Sequence, residues 1–139
     1  MTHYQNTLKK QVHDFWNEAA CGENLYLQNS DSAGYESQFN ERYRLEPMIV
    51  PFADFASTKG QKVLEIGVGL GADHQRFAET GADLFGIDLT DRAIDYTRRR
   101  LELFGLSSKL ATGDAENLDL SQMVYGWCHA LASIWFVDW

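Results

Sequence analysis

Cysteine, proline and positive charge are all scarce in this 139-residue sequence. Its two cysteines, Cys21 and Cys128, lie far apart and form no CxxC pair, so the sequence indicates neither a zinc site nor a disulfide framework and fits a reducing, cytoplasmic setting. Twelve basic against 20 acidic residues give a formal charge of −8, which argues against nucleic acid or an anionic membrane surface as a partner. The longest uncharged apolar stretch, residues 123–137, is shorter than the roughly 18 residues of a membrane-spanning helix.

The residues that are abundant favour a single folded domain. Hydrophobic residues make up 45% of the chain and aromatic residues 13%, enough to bury a core, and the length is typical of one domain. The pattern of apolar residues changes near Gly60. Residues 1–58 have helical periodicity, whereas residues 59–139 alternate between strand and helix patterns.

Three helices are predicted in the N-terminal extension, residues 1–58. The first covers Thr2–Glu18, where apolar side chains recur with helical spacing from Leu8 to Ala19. Asp31 or Ser32 can cap the second helix, and Pro47 suits the first turn of the third. Six aromatic side chains of this extension either pack in the core, which their helical spacing favours, or form a lid on the substrate side: Tyr4, Phe15, Trp16, Tyr35, Phe39 and Tyr43.

The second part of the chain, residues 59–139, predicts a parallel sheet. Apolar runs that stop at glycine or acidic residues indicate strands at 62–66, 84–88 and 109–113, and a weaker run at 123–127 can be a fourth. Helices are predicted between them at 73–80 and 90–104. Strands that alternate with helices of this length imply right-handed crossovers and an α/β, Rossmann-like sheet flanked by helices.

The most informative segment is the glycine turn that follows the first strand. Gly67, Gly69 and Gly71 let the backbone turn sharply and approach a ligand closely at the carboxyl end of that strand. Asp88 ends the next strand, 21 residues after Gly67, where a carboxylate can accept hydrogen bonds from two ribose hydroxyls. Asp88 can instead be a turn residue before the helix cap at Thr90. The spacing favours the ribose role.

The histidines predict no catalytic or metal centre. His3, His13, His74 and His129 show no i, i+4 pattern and no Ser-His-Asp arrangement, so each is predicted to be a surface residue. His74 comes just after the glycine turn and is the histidine of greatest interest.

Three motifs resemble those of the class I S-adenosylmethionine-dependent methyltransferases. They are the Glu65–Gly71 turn, the acidic strand end at Asp88, and Gly113-Asp114-Ala115-Glu116. The resemblance implies that S-adenosylmethionine binds with its amino-acid end at the glycine turn, its ribose at the second strand end and its adenine beside the third-strand motif. The residues implied are Glu65, Gly67, Gly69, Gly71, Asp88, Leu89, Asp114 and Ala115. The expected reaction is methyl transfer to a small-molecule acceptor.

A dinucleotide-binding oxidoreductase or epimerase is the alternative, because Gly67–Ala72 also fits the dinucleotide pattern and an acid about 20 residues later serves NAD equally well. Glu65 favours the methyl donor, since the dinucleotide pattern prefers a small or apolar residue there.

The resemblance weakens after Leu120. Residues 121–139 lack the family's later strands, so the domain at 59–139 is expected to be incomplete at its C-terminus, with weak methyl transfer or none, and a non-catalytic fragment is a further alternative. The segment contains a single acidic residue and three tryptophans, Trp127, Trp135 and Trp139. Self-association through the fourth strand's edge is therefore expected.

Overall fold

The computed structural model describes residues 3–118 and 128–132, which form helices around one sheet. The N-terminal part contains α1 (His3–Glu18), α2 (Glu23–Tyr26), α3 (Ser32–Leu45), α4 (Ile49–Ala53) and a 3₁₀ turn (Phe55–Thr58). The remainder contains β1 (Lys62–Ile66), α5 (Ala72–Glu79), β2 (Asp83–Asp88), α6 (Asp91–Leu103), β3 (Lys109–Thr112), a second 3₁₀ turn (Ala115–Asn117) and β4 (Cys128–Ala132).

The sheet has the strand order β3-β2-β1-β4, and each neighbouring pair is parallel. Lys62 of β1 lies opposite Asp83 of β2 and Cys128 of β4, so the three strands begin in register. The prediction of an α/β, Rossmann-like parallel sheet flanked by helices is confirmed. Because parallel strands end at one edge, the glycine turn, Asp88 and Asp114 all come to that edge.

The structure describes a fourth strand at Cys128–Ala132, paired with β1. Residues 123–127, where the sequence predicts a fourth strand, lie outside the described residues.

One layer of the core lies between the sheet, α5 and the end of the N-terminal extension. Val63 and Leu84, from the two central strands, pack with Phe77 of α5 and with Ile49 and Phe55 from the end of the N-terminal extension. All five side chains are less than a tenth exposed. The N-terminal extension is therefore part of the same core as the sheet.

A fully buried arginine joins three helices. Arg100 of α6 donates hydrogen bonds to Gln75 of α5 and to Gln38 and the Tyr35 carbonyl of α3, and its guanidinium lies 4.7 Å from the centre of the Tyr35 ring. Burial lowers the pKa of Arg100 to about 10. The basic run at 98–100 is thus divided, with one of its members in the interior.

The aromatic residues of the N-terminal extension divide between core and surface. Tyr35 is fully buried and Phe39 and Tyr43 are half-buried, as core packing predicts. On α1, however, Phe15 remains 60% exposed and Trp16 38%, so the prediction of core packing is wrong for these two. Leu8 and Val12 of α1 are also exposed. Helix α1 makes polar contacts with the rest of the molecule through the ion pair of Lys9 with Asp114 and through Asn17, which accepts a hydrogen bond from the Arg92 N–H. Within the described ranges, no helix has the length and apolarity needed to cross a bilayer.

Candidate functional site

The glycine turn leaves β1 in a conformation that favours glycine. Gly67, Gly69 and Gly71 all have positive φ values, of 79°, 54° and 78°. The Gly67 N–H donates to the Ile87 carbonyl over 2.8 Å, which ties the start of the turn to β2. A Cβ on Gly71 would lie 2.8 Å from the Thr97 hydroxyl, whereas a Cβ on Gly69 would meet no atom within 4 Å. Gly69 therefore faces open space at the sheet edge.

Two adjoining cavities open at this turn and share Gly67, Gly69 and Cys21 in their walls. The larger, of about 310 Å³, has a mainly apolar lining that includes Trp16, Ala20 and Ile87. The smaller, of about 70 Å³, has charged residues in its wall. Of the residues implied by the resemblance, the larger cavity is lined by Gly67, Gly69, Asp88, Leu89 and Ala115, and the smaller by Glu65, Gly67, Gly69 and Gly71. Asp114 lines neither cavity.

At the edge of the larger cavity, Asp88 connects the end of β2 with the glycine turn and with the start of α6. Its Oδ2 accepts a hydrogen bond from the Gly69 N–H at 3.1 Å. Its Oδ1 accepts from the N–H of Thr90 at 3.0 Å and from the Thr90 hydroxyl at 3.1 Å. Asp88 is therefore a turn residue before α6, and it is also a partly buried residue in the wall of the larger cavity. The two roles considered for Asp88 are compatible.

Glu65 and His74 form a buried pair beneath the turn. Glu65 Oε2 lies 2.8 Å from His74 Nδ1, and His74 Nε2 lies 2.8 Å from Ser108 Oγ. His74 is 0% exposed, so the prediction of a surface position is wrong for this histidine. Burial raises the pKa of the Glu65 carboxyl, and the hydrogen bond with His74 acts in the opposite direction. A buried carboxylate requires such a partner, which is why the imidazole lies inside.

A second charged group closes the far wall of the smaller cavity. Arg42 of α3 contacts the Asp73 carboxylate of α5 through Nε at 3.2 Å and Nη2 at 2.5 Å, and its Nη1 donates to Glu46. The Tyr43 hydroxyl also donates to Asp73, at 2.6 Å, and burial raises the pKa of Tyr43. The sequence analysis missed Arg42 and Asp73 as wall residues, and their separation of 31 residues provides no local signal.

Asp114 lies outside the walls of both cavities, just after the end of β3. Its Oδ1 accepts from the Glu116 N–H at 3.0 Å and caps the turn after β3. Its Oδ2 lies 2.5 Å from Lys9 Nζ of α1, and Lys9 also contacts Glu116 at 2.5 Å. These contacts lower the pKa of Asp114, with the hydrogen bond from Lys9 as the main cause. Helix α1 is thus attached across the edge of the sheet.

Within the described part of the chain, no cluster of three or more His, Cys, Asp or Glu side chains is placed to hold a metal ion. The acidic side chains near the cavities contact neighbouring protein groups instead: Glu65 contacts His74, Asp73 contacts Arg42, and Asp88 contacts the backbone of Gly69. The arrangement is suited to a polar organic ligand with an apolar part.

A family model described as a methyltransferase domain matches residues 63–138, more than half of the chain. The chain belongs to the methyltransferase domain family. This assignment confirms the resemblance inferred from the three motifs and favours the methyltransferase interpretation of the glycine turn over the dinucleotide alternative.

Individual relatives carry related names. The demethylmenaquinone methyltransferase of Tropheryma whipplei (strain Twist) is 38% identical over 58 residues, which cover 41% of this chain and 24% of that protein. The ubiquinone biosynthesis O-methyltransferase of Azoarcus sp. (strain BH72) is 31% identical over 81 residues, 58% of this chain and 35% of that protein. This methyltransferase domain therefore spans about a quarter to a third of the length of these relatives.

Solved structures share the fold. The magnesium protoporphyrin IX methyltransferase of Synechocystis PCC 6803, solved with bound SAH, superposes with a TM-score of 0.58 at 17% identity and covers 79% of this chain and 53% of that one. A structure from work on the conversion of a disulfide bond into a thioacetal group during echinomycin biosynthesis has a TM-score of 0.52 at 29% identity. It covers 63% of this chain and 36% of that one. The chain therefore shares its fold with a methyltransferase of known structure.

Proposed function

We propose that this methyltransferase domain binds S-adenosylmethionine across the two adjoining cavities and serves methyl transfer to a small-molecule acceptor. The observation that carries the proposal is the open space at Gly69. This residue lies in the wall of both cavities and has a positive φ, so its backbone can approach a ligand closely. A ligand that spans both cavities must pass over this residue. The fit is supported by chemistry, because the cofactor combines an apolar adenosine with a charged amino acid.

The residues of each cavity suit one part of the cofactor. In the larger cavity, Asp88 accepts hydrogen bonds from the ribose hydroxyls, and Leu89 and Ala115 cover the adenine faces with apolar surface. In the smaller cavity, the turn at Gly67–Gly71 approaches the amino-acid part, and Glu65 faces its ammonium group. Asp114 is proposed to accept from the adenine amine once its contact with Lys9 is shared or released.

The bound cofactor supplies an activated sulfonium methyl group. The chain therefore has to hold the cofactor, orient it and exclude water, rather than provide a nucleophile. Asp88 and the glycine turn fix the cofactor's position, and Trp16 of α1 covers the larger cavity. We infer that the acceptor approaches beneath α1.

The proposed acceptor is a small apolar ring compound. Two relatives have names that refer to menaquinone and ubiquinone, and the exposed Phe15 and Trp16 place apolar surface beside the larger cavity. Their rings lie 4.9 Å apart at nearly right angles, a geometry that accepts a further aromatic ring. A cytoplasmic location is proposed with this function, on the basis of the two cysteines, which lie far apart and form no CxxC pair.

Calorimetric titration tests the proposal. Purified protein is titrated with S-adenosylmethionine, with its demethylated product S-adenosylhomocysteine and with NAD. Binding of the first two without NAD is the expected result. Binding of NAD alone would restore the dinucleotide alternative, and binding of none of them would favour a non-catalytic fragment.

Self-association is proposed as well, through the β4 edge and the apolar residues that flank it. The three tryptophans named for this contact, Trp127, Trp135 and Trp139, lie outside the described residues. Among the described residues, β4 is the last strand on its side of the sheet, and an unpaired strand edge can pair with a second copy. Light scattering on the full chain should report a mass above that of a monomer, and a stable monodisperse monomer with robust methyl transfer would contradict both this proposal and the expectation of weak activity.

A further inference from the structure

A chain of hydrogen bonds beneath the glycine turn determines where protons are held. The Ser108 hydroxyl donates to the Leu84 carbonyl over 2.9 Å, and because a hydroxyl has one hydrogen, Ser108 can only accept from His74 Nε2. The Nε2 atom of His74 therefore carries a hydrogen. One more proton must lie between Nδ1 and Glu65 Oε2, since two bare lone pairs 2.8 Å apart would repel each other.

That proton can be bound either to His74 Nδ1 or to the Glu65 carboxylate. If Nδ1 holds it, His74 is an imidazolium and Glu65 is ionised, whereas if Glu65 holds it, both groups are neutral. Among the described side chains, the charged groups that face the pair are Arg42 from α3 and Asp73 from α5. Asp73 is matched by its two-pronged contact with Arg42, and β2 presents only Gly86 at this level. Burial favours the neutral Glu65 carboxyl, whereas the hydrogen bond with His74 and the charge of Arg42 favour the carboxylate.

The lack of a side chain at Gly86 leaves space for the His74 imidazole. A Cβ on Gly86 would lie 2.6 Å from His74 Cε1, closer than side chains tolerate, and 2.8 Å from Val68 of the glycine turn. Gly86 faces Glu65 directly across β1 and β2. The absence of a side chain on one strand therefore lets α5 place a ring nitrogen against the carboxylate of the next strand.

We infer that His74 is a positioning residue of the cofactor site, which as an imidazolium keeps Glu65 ionised and fixed beside the smaller cavity, where the carboxylate receives the cofactor's ammonium group. The inference rests on the proposed function for its ligand. His74 itself is fully buried and lines neither cavity, so it acts through Glu65. Burial raises the pKa of Glu65, and the hydrogen bond with His74 is the largest of the effects that lower it.

The protonation state can be measured in the free protein. In nitrogen-15 spectra of the full chain labelled at histidine, with the His74 signals assigned by comparison with His74→Asn, both ring nitrogens should carry hydrogen at neutral pH. A bare Nδ1 would overturn the inference. The spectra are read in the wild-type protein without cofactor, and the His74→Asn variant serves only to assign the signals.

The role in binding is tested with His74→Leu, using S-adenosylhomocysteine as the probe from about pH 6 to about pH 9. We expect a loss of affinity of about tenfold or more at the low end, which shrinks as pH rises, because the variant removes the hydrogen bond that lowers the pKa of the buried Glu65 carboxyl. The ratio to wild type removes the titration of the ligand's own amino group. A ratio that stays constant with pH would indicate a merely structural role and overturn the inference.

Two further variants complete the design. His13→Leu makes the same change at a half-buried histidine of α1 and should leave the affinity unchanged. Glu65→Gln combined with His74→Leu should bind as weakly as Glu65→Gln alone, because the two residues act as one unit. If the wild-type protein binds no S-adenosylhomocysteine, the proposed function and the positioning role fail together, whereas a bare Nδ1 in a protein that does bind it overturns the inference alone.

Discussion

The two ends of the groove proposed for the cofactor, which runs from Glu65 across the two cavities to Asp114, are built in different ways. At the inner end, Glu65 and His74 are 2% and 0% exposed and are held by a strand and a helix of the core. At the outer end, the side chains of Asp114 and Lys9 are 30% and 27% exposed, and Lys9 comes from α1, whose own apolar face remains in solvent. The inner end is therefore preorganised by the fold, whereas the outer end depends on a contact that the fold does not enforce.

The energetics of the two ends differ accordingly. Removing one partner of a buried pair leaves a polar group without solvent and is strongly destabilising. An exposed ion pair contributes little, because water and salt screen it. Substitutions should therefore have large effects at the inner end of the groove and along its floor, and small, salt-dependent effects at the outer end.

The largest effect is expected at Gly69, between the two cavities. Gly69→Val should abolish binding of S-adenosylhomocysteine, with a loss of more than about a hundredfold, because the added side chain enters the space that the ligand must cross. Gly60→Val is the matched control, since Gly60 also has a positive φ, of 72°, and open space around its Cβ position. Native-like circular dichroism together with native-like affinity in the Gly69 variant would show that the turn has no ligand role.

A smaller loss is expected at Asp88, on the floor of the larger cavity. Asp88→Ala should weaken binding of S-adenosylhomocysteine by roughly tenfold to a hundredfold, because it removes an acceptor for ribose hydroxyls and the tie to Gly69. Asp83→Ala, at the other end of the same strand, is the control and should leave the calorimetric affinity intact. An unchanged dissociation constant in the Asp88 variant would rule out the ribose assignment.

The contrast between well-buried and exposed ion pairs can be tested at Glu23 of α2, whose carboxylate contacts two side chains of α6. Its carboxylate contacts Arg92 at 2.5 Å and Tyr96 at 2.6 Å, and the hydrogen bond from Arg92 lowers its pKa to about 2. Because the folded pKa lies below the unfolded value of 4.5, this stabilisation is complete above about pH 4.5 and is lost as pH falls towards 2. Glu23→Gln should lower the free energy of unfolding by roughly 1–2 kcal/mol at pH 7, since solvent screens the half-exposed Arg92. The difference in urea denaturation should disappear near pH 2, and a pH-independent difference would contradict the assignment.

The smallest effect is expected at Lys9. Its ammonium group neutralises the Asp114 oxygen that the adenine amine is proposed to use, so Lys9→Met should raise the affinity for S-adenosylhomocysteine by about twofold to fivefold at low salt. The gain should vanish at high salt. Lys10→Met removes the same charge from the next residue, whose partner is Asp14, and should change nothing. A weaker affinity in Lys9→Met would mean that the outer end is organised by this contact rather than opposed by it.

Local patterns in the sequence predicted much of this arrangement. The β1 and β2 strands, the positive φ of the three glycines and the position of Asp88 follow from apolar runs, glycine spacing and a strand end, all of which act over a few residues. The burial of His74 could not be predicted in this way, because it depends on Gly86 of another strand. The contact of Lys9 with Asp114 joins residues 105 positions apart, and no periodicity encodes it.

The central position of β1 has a consequence for how the molecule moves. This strand is hydrogen-bonded along its length to β2 on one side and β4 on the other, and the glycine turn follows directly from it. In native-state hydrogen exchange, its amides should be among the slowest, whereas those of α1 should exchange through frequent local opening. The glycine turn would therefore persist while α1 opens and closes, so entry of the proposed ligand would require no disruption of the sheet.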